Sequence, residues 1–91
     1  MPRPRRRRRI GWRGQGHYFK PQGIPMSQLQ TIELLPEEVE ALRLKNILNL
    51  EQTAAAIKMN ISQATFHRIL NSAYQKISQA IVNGLAIKID K

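Results

Sequence analysis

The stretch from Gln52 to Leu70 constrains the fold of this chain more than any other segment. Ala56 provides the small residue that two closely crossing helices need, and Asn60, four positions later, tolerates the positive φ of a tight turn. Four apolar residues stand where they would close a core around that turn: Met59, Ile61, Phe66 and Ile69. A generic three-helix bundle would require only the apolar part of this pattern, so the spacing predicts a helix-turn-helix.

Helix boundary signals surround this segment. Pro36, followed by two glutamates, opens a first helix that runs to about residue 47, and a second helix spans about 51–58. Ser62 is a suitable N-cap for a long third helix that ends near residue 83, before Gly84. Apolar residues at three- and four-residue spacing form its expected inner stripe: Phe66, Ile69, Leu70, Ala73, Ile77, Ala80 and Ile81.

The remaining segments are short and extended or turn-rich. Residues 29–34 and 85–90 predict short extended segments on either side of the helices. Residues 17–26 predict an ordered loop that packs Tyr18, Phe19 and Ile24 against the domain. The predicted fold is therefore mainly α: a three-helix helix-turn-helix domain over 17–91, with a long third helix and short extended segments flanking it.

The positive charge is concentrated before this domain. The net charge is +9, and residues 1–20 hold eight of the fifteen basic residues and no acid. Residues 1–16 form an Arg/Pro-rich arm with too few apolar residues to fold, so we expect it to be disordered in the free protein. Its candidate DNA-binding residues are Arg3, Arg5, Arg6, Arg7, Arg8 and Arg9. They would neutralise phosphates or enter a minor groove, whereas a tail that only aids solubility is the alternative.

The outward side of the third helix supplies the other candidate DNA-binding residues. They are Ser62, Gln63, Ala64, Thr65, His67, Arg68 and Asn71. Gln63 suits an adenine edge and Arg68 a guanine or a phosphate, while Ala64 and Thr65 suit a thymine methyl group. Ser62 and the helix N-terminus suit a phosphate. A plain solvated helix face would show the same residue types, so the set gains its meaning from the turn that precedes it.

Other classes of function find little support. The chain has no cysteine and only two histidines, His17 and His67, so we expect no metal site, cofactor or thiol nucleophile. There is no glycine-rich phosphate loop, and Glu37, Glu38 and Glu40 suit helix-opening and surface roles better than acid–base catalysis. No apolar run approaches the roughly 18 residues of a membrane span. We therefore expect a cytoplasmic, non-enzymatic protein without a membrane partner or a small-molecule effector.

The chain also resembles a known family, and the resemblance spans nearly its whole length. Six segments carry it. Three lie before the helices: Met-Pro-Arg-Pro-Arg at the start, Tyr18-Phe19-Lys20-Pro21 and Gly23-Ile24-Pro25. The other three are Glu38-Val39-Glu40-Ala41-Leu42-Arg43-Leu44, Ser62-Gln63-Ala64-Thr65-Phe66-His67-Arg68-Ile69-Leu70 and Val82-Asn83-Gly84. They resemble the small prokaryotic proteins called domain of unknown function 134, which are described as predicted DNA-binding proteins. The resemblance implies a helix-turn-helix similar to region four of bacterial sigma factors, with no established regulatory target.

These observations together favour a sequence-specific DNA-binding protein that regulates transcription. The third helix would read the major groove of double-stranded DNA, and a homodimer is expected because one short motif makes few contacts. An RNA-binding or ribosome-associated protein is the first alternative, and an adaptor of the transcription machinery is the second. The apolar residues beyond the motif fit either a dimer interface or the monomer core: Ile77, Ile81, Leu85, Ile87 and Ile89.

Overall fold

The computed structural model describes residues 17–89 of the chain. The predicted disordered arm over 1–16, with its six candidate arginines, lies outside the described residues, as do Asp90 and Lys91. Within the described part, the predicted mainly α fold is confirmed: three helices, the third by far the longest, with extended segments before and after them.

The helices begin and end close to the predicted positions. They are α1 (Pro36–Leu42), α2 (Gln52–Met59) and α3 (Gln63–Asn83). After α1 the chain continues for one π-helical turn, Arg43–Ile47, so helical structure reaches residue 47 as expected. Asn49, at φ 59°, then turns the chain toward α2. The widened π turn is a feature that the 3.6-residue pattern of the sequence does not indicate.

The turn between α2 and α3 has the predicted conformation. Asn60 is left-handed, at φ 59° and ψ 44°, and its amide donates to the carbonyl of Ile57 at 3.0 Å. The amide of Ile61 donates to the carbonyl of Ala56 at 3.1 Å, and the Ser62 hydroxyl accepts from the Thr65 amide at 3.1 Å. These bonds occupy backbone groups that the helix ends leave without partners, so the turn is closed by its own residues.

Within residues 17–89, three strands form one small sheet. The strands are β1 (His17–Phe19), β2 (Thr31–Leu34) and β3 (Ala86–Ile89). The central strand is β3, which runs antiparallel to β1 and parallel to β2, with Leu34 opposite Ile89 and Phe19 opposite Ile87. The polypeptide between the parallel strands β2 and β3 contains all three helices, so the sheet links the start of the helical region to its end.

The prediction of a loop that buries Tyr18, Phe19 and Ile24 is wrong. Tyr18 and Phe19 belong to strand β1, and all three side chains are exposed. The reason is that β1 occupies an outer position in the sheet, where main-chain pairing with β3 holds it and side-chain burial is not required.

Two apolar clusters form the core on either side of Leu42, which packs against both. The first joins α1, the π turn, α2 and the start of α3: Ala41, Leu44, Ala55, Ala56, Met59, Phe66 and Leu70. Ile61 and Ile69 pack against it half-buried, as the turn pattern predicts. The second joins the sheet to the middle of α3: Leu34, Ala73 and Ile89. Helix α3 therefore contributes residues to both clusters and packs against the other helices as well as against the sheet.

The expected surface role of Glu37, Glu38 and Glu40 is wrong, because all three are buried. Glu38 does open α1, since its Oε1 accepts from the Leu35 amide at 2.8 Å. Glu40 pairs with Arg43 through two nitrogens at 2.8 and 2.9 Å, and this hydrogen bonding raises the pKa of Arg43. These carboxylates lie inside the fold, where hydrogen bonds and ion pairs within the protein take the place of their hydration by water.

Candidate nucleic-acid interface

The first two turns of α3 present the candidate side chains because burial fixes the rotation of this helix. Phe66 is fully buried and Leu70 nearly so, which turns the opposite side of the helix outward. The candidates on that side are exposed: Ser62, Gln63, Ala64, His67, Arg68 and Asn71. Thr65 differs from them in being half-buried. The structure thus brings the seven candidates of α3 and its N-cap to one end of the molecule, while the six arginines lie outside the described residues.

Ser62, Thr65 and Arg68 form a chain of polar contacts along the helix. The Ser62 hydroxyl donates to Thr65 Oγ1 at 2.9 Å, and Arg68 Nη2 approaches the same oxygen at 3.4 Å. The hydroxyl proton of Ser62 is thereby used inside the protein, so a phosphate at this helix end would be held by backbone amides. Thr65 Oγ1 is therefore shared between Ser62 and Arg68.

His67 and Asn71 contact each other one helical turn apart. Asn71 Nδ2 lies 2.9 Å from His67 Nε2, both side chains being exposed. Because an amide nitrogen can only donate, Nε2 accepts in this arrangement and the proton of the neutral ring lies on Nδ1. The pair therefore leaves Nδ1 of His67 and the amide oxygen of Asn71 outside this contact, and each side chain limits the rotamers of the other.

The candidate surface is concave and includes a residue that the sequence did not single out. Gln52, in the first turn of α2, lines it together with Gln63, Ala64, His67 and Arg68. Glu51 and Thr53 adjoin the same surface beside Gln63 and His67. The signal that could have found Gln52 is its place at the start of the helix that precedes the turn, which the packing of α2 against α3 brings beside Gln63.

Charge on this surface is sparse within the described part of the chain. Arg68 is the one basic residue among those that line the concave surface, and Glu51 is the one acid that adjoins it. Neutral donors and acceptors make up the rest of the lining. Such a surface offers hydrogen-bonding groups more than net charge, and the strong positive charge of the chain lies in the arginine run.

Metal chemistry and membrane insertion leave no signature in the described residues. No group of three or more His, Asp or Glu side chains in residues 17–89 is arranged to hold a metal ion. In the same range, no helix combines the length and the apolar character that a membrane crossing requires.

Comparison with known proteins settles the family. A family model described as protein of unknown function DUF134 matches residues 1–91. The chain belongs to this family. The resemblance noted from the sequence is confirmed, and the DUF134 assignment covers the interface residues and the arginine run alike. The description of the family names no activity.

Relatives of this DUF134 protein are similar along almost its whole length. A UPF0251 protein of Dehalococcoides mccartyi strain BAV1 is 51% identical over 90 residues, which cover 99% of this chain and 77% of that protein. A UPF0251 protein of Pelotomaculum thermopropionicum is 47% identical over 89 residues, 98% of this chain and 67% of that protein. A UPF0251 protein of Thermoanaerobacter strain X514 is 47% identical over 90 residues, which cover 99% of this chain and 80% of that protein. No solved structure matches the chain.

Proposed function

We propose that this protein binds double-stranded DNA in a sequence-specific manner and regulates transcription. The observation that supports this most is the order of three elements along the chain. Helix α2 is followed by a left-handed turn at Asn60 and then by α3, whose first two turns are largely polar and exposed on their outer side. A helix-turn-helix presents its second helix to the major groove in this way, with residues near the helix N-terminus against the base edges.

The side chains of the concave surface suit the edges of bases. Gln63 offers the paired donor and acceptor that an adenine edge requires, and Arg68 offers two donors to a guanine edge. Ala64 contributes a methyl group for contact with thymine. Gln52, on α2, is placed to contact the DNA backbone beside the groove that α3 would enter.

The arginine run supplies the part of the affinity that is independent of sequence. Arginines that neutralise phosphates release counterions, and an extended Pro- and Arg-rich segment suits an adjacent minor groove. The arm would therefore contribute affinity for any duplex, and the concave surface would contribute the preference for one base sequence. It assigns the protein no catalytic step and no cofactor, and it places the protein in the cytoplasm with bacterial DNA.

Selection from a random duplex-DNA library with the full-length protein, at near-physiological salt, tests the proposal. We expect one enriched motif, because base-edge contacts discriminate by about 1–3 kcal/mol per position. A parallel selection from structured RNA serves as the comparison. Duplex binding without an enriched motif, or enrichment of RNA alone, would contradict sequence-specific DNA recognition.

Removal of the two main candidate side chains should weaken binding to the selected site. Gln63→Ala and Arg68→Ala are each expected to cost about 1–3 kcal/mol on that site and much less on a scrambled duplex. Titration of both duplexes at one salt concentration measures the difference. Gln28→Ala, which removes an exposed glutamine between β1 and β2, is the matched control and should bind as the unmodified protein does. An equal loss on both duplexes would show that Gln63 and Arg68 hold phosphates only.

A further inference from the structure

The structure divides the apolar residues that follow the turn between the core and the surface. Ile89 is buried, Ile87 packs against the second apolar cluster and Ile77 is half-buried. Ile81, in contrast, is 74% exposed, so its expected place in the inner stripe of α3 is wrong, and its neighbour Val82 is 81% exposed. Burial at this end of α3 is on the side of Ala80, which is 4% exposed, and Ile81 lies one residue further round the helix. Two adjacent β-branched residues are left in solvent.

This exposed surface carries no charge over more than three helical turns. Lys76 is the one charged residue between Ile69 and Leu85, and it is directed inward, 2.8 Å from Glu38 Oε1. The exposed positions of the C-terminal half of α3 are all neutral: Tyr74, Gln75, Ser78, Gln79, Ile81, Val82 and Asn83. We call this set the neutral face. Tyr74 and Ile81 lie seven residues apart and therefore on the same line along the helix.

A shallow groove continues the neutral face toward the sheet. It runs between the end of α3 and strand β1, and its apolar lining includes Phe19, Pro21, Ile81, Leu85 and Ile87. Lys20 also lines it, and its ammonium donates to the Ile24 carbonyl at 2.8 Å. Phe19 is 56% exposed at its edge. Ile81 belongs both to the groove and to the neutral face, so the two form one continuous surface at the end of α3 remote from Ser62.

We propose that the neutral face and this groove join two copies of the chain about a two-fold axis. A two-fold interface presents the same surface on both sides, so each copy offers exposed apolar side chains, Ile81 and Val82, and a groove that can receive those of the other. The charge of the chain favours this occupant. Two chains of +9 each repel one another, and they can approach where charge is sparse. On the described residues of the neutral face and the groove, the one cation is Lys20, which already donates to the Ile24 carbonyl. Nucleic acid or an acidic partner, in contrast, would find no cation on the neutral face to bind.

The geometry leaves the candidate DNA surface unobstructed in such a dimer. Helix α3 has 21 residues, so its N-terminal end lies about 30 Å from its C-terminal end. The concave surface and the neutral face thus occupy opposite ends of one helix. The inference stands on exposure and charge alone and holds whether or not the N-terminal end of α3 binds DNA.

Sedimentation of the full-length protein without nucleic acid, over a range of concentrations, tests the inference. We expect a species of twice the chain mass, and we expect Ile81→Lys and Val82→Lys each to raise the dimer dissociation constant at least about 100-fold, because each would bury two unpaired ammonium groups. Both side chains are exposed in the single chain, so the far-ultraviolet circular dichroism should not change.

Ile57→Lys provides the matched control. Ile57 is 74% exposed, as Ile81 is, but it lies on α2, away from the neutral face. This variant should remain dimeric. A monomer at every concentration would overturn the inference, as would a dimer that Ile81→Lys and Val82→Lys leave intact, or one that Ile57→Lys dissociates equally.

Discussion

Replacement of Glu38 by alanine is expected to lower the free energy of unfolding by about 3–5 kcal/mol. The carboxylate is 2% exposed and accepts from the Leu35 amide at 2.8 Å, the Ser72 hydroxyl at 2.6 Å and Lys76 Nζ at 2.8 Å. Its removal would leave the Leu35 amide without its side-chain acceptor, and the partly buried ammonium of Lys76 would keep the Glu33 carbonyl, at 2.9 Å, but lose its counter-charge. Since small domains are stable by about 5–15 kcal/mol, this one change would remove much of the total. Urea denaturation measures it.

Two further variants distinguish the loss of the Glu38–Lys76 ion pair from the effect on stability of removing any glutamate. Glu51→Ala removes an exposed glutamate at the N-cap of α2 and should cost at most about 1 kcal/mol. Replacing both partners, as Glu38→Leu with Lys76→Met, should recover part of the loss, because no unpaired charge then remains. If Glu38→Ala cost no more than Glu51→Ala, water would be replacing the lost contacts and the network would contribute little.

Replacement of the six candidate arginines of the arm by glutamine is expected to change DNA binding more than any substitution in the folded domain. Arg3 and Arg5 to Arg9 carry most of the net charge of +9. If each neutralises one phosphate, the slope of log affinity against log salt should fall by about 5, because each contact contributes about 0.9. Affinity at low salt should fall by several orders of magnitude, while the enriched motif should remain the same.

A variant with lysine at the same six positions is the control. Lysine keeps the charge but not the planar guanidinium, so the salt slope should be retained. Any affinity lost with lysine would then report contacts that only arginine makes, such as insertion into a narrow minor groove. A salt slope that the glutamine variant leaves unchanged would show that the arm takes no part in binding.

The elements that sequence predicted well are those that neighbouring residues determine. Ser62 caps α3 and Gly84, at φ 67°, ends it, because the first supplies a side-chain acceptor and the second accepts a left-handed backbone without strain. Asn60 has the expected conformation for the same local reason. The burial of Phe66 followed from helical periodicity, and it correctly placed Gln63, His67 and Arg68 on the outer side.

The features that sequence missed depend on partners distant in the chain. Glu38 looks like a surface residue until Ser72 and Lys76, on another helix, are brought to it. Strand β1 has no local signal, because its pairing with β3 is what makes it a strand. Ile81 follows the inner stripe of α3 in sequence, yet nothing in the described part of the fold covers the side of the helix on which it lies. Gln52 joined the concave surface only through the packing of α2 on α3.

The position of β3 in the middle of the sheet has a consequence for how the chain folds during translation. Strand β3 is the last of the described elements to leave the ribosome, and both β1 and β2 hydrogen-bond to it. The three helices can assemble from contacts between near neighbours, but the two earlier strands must wait with their backbone groups unpaired. A nascent chain halted before Ala86 would therefore expose two strand edges open to aggregation, and synthesis of Ala86–Ile89 would convert it into a protected domain.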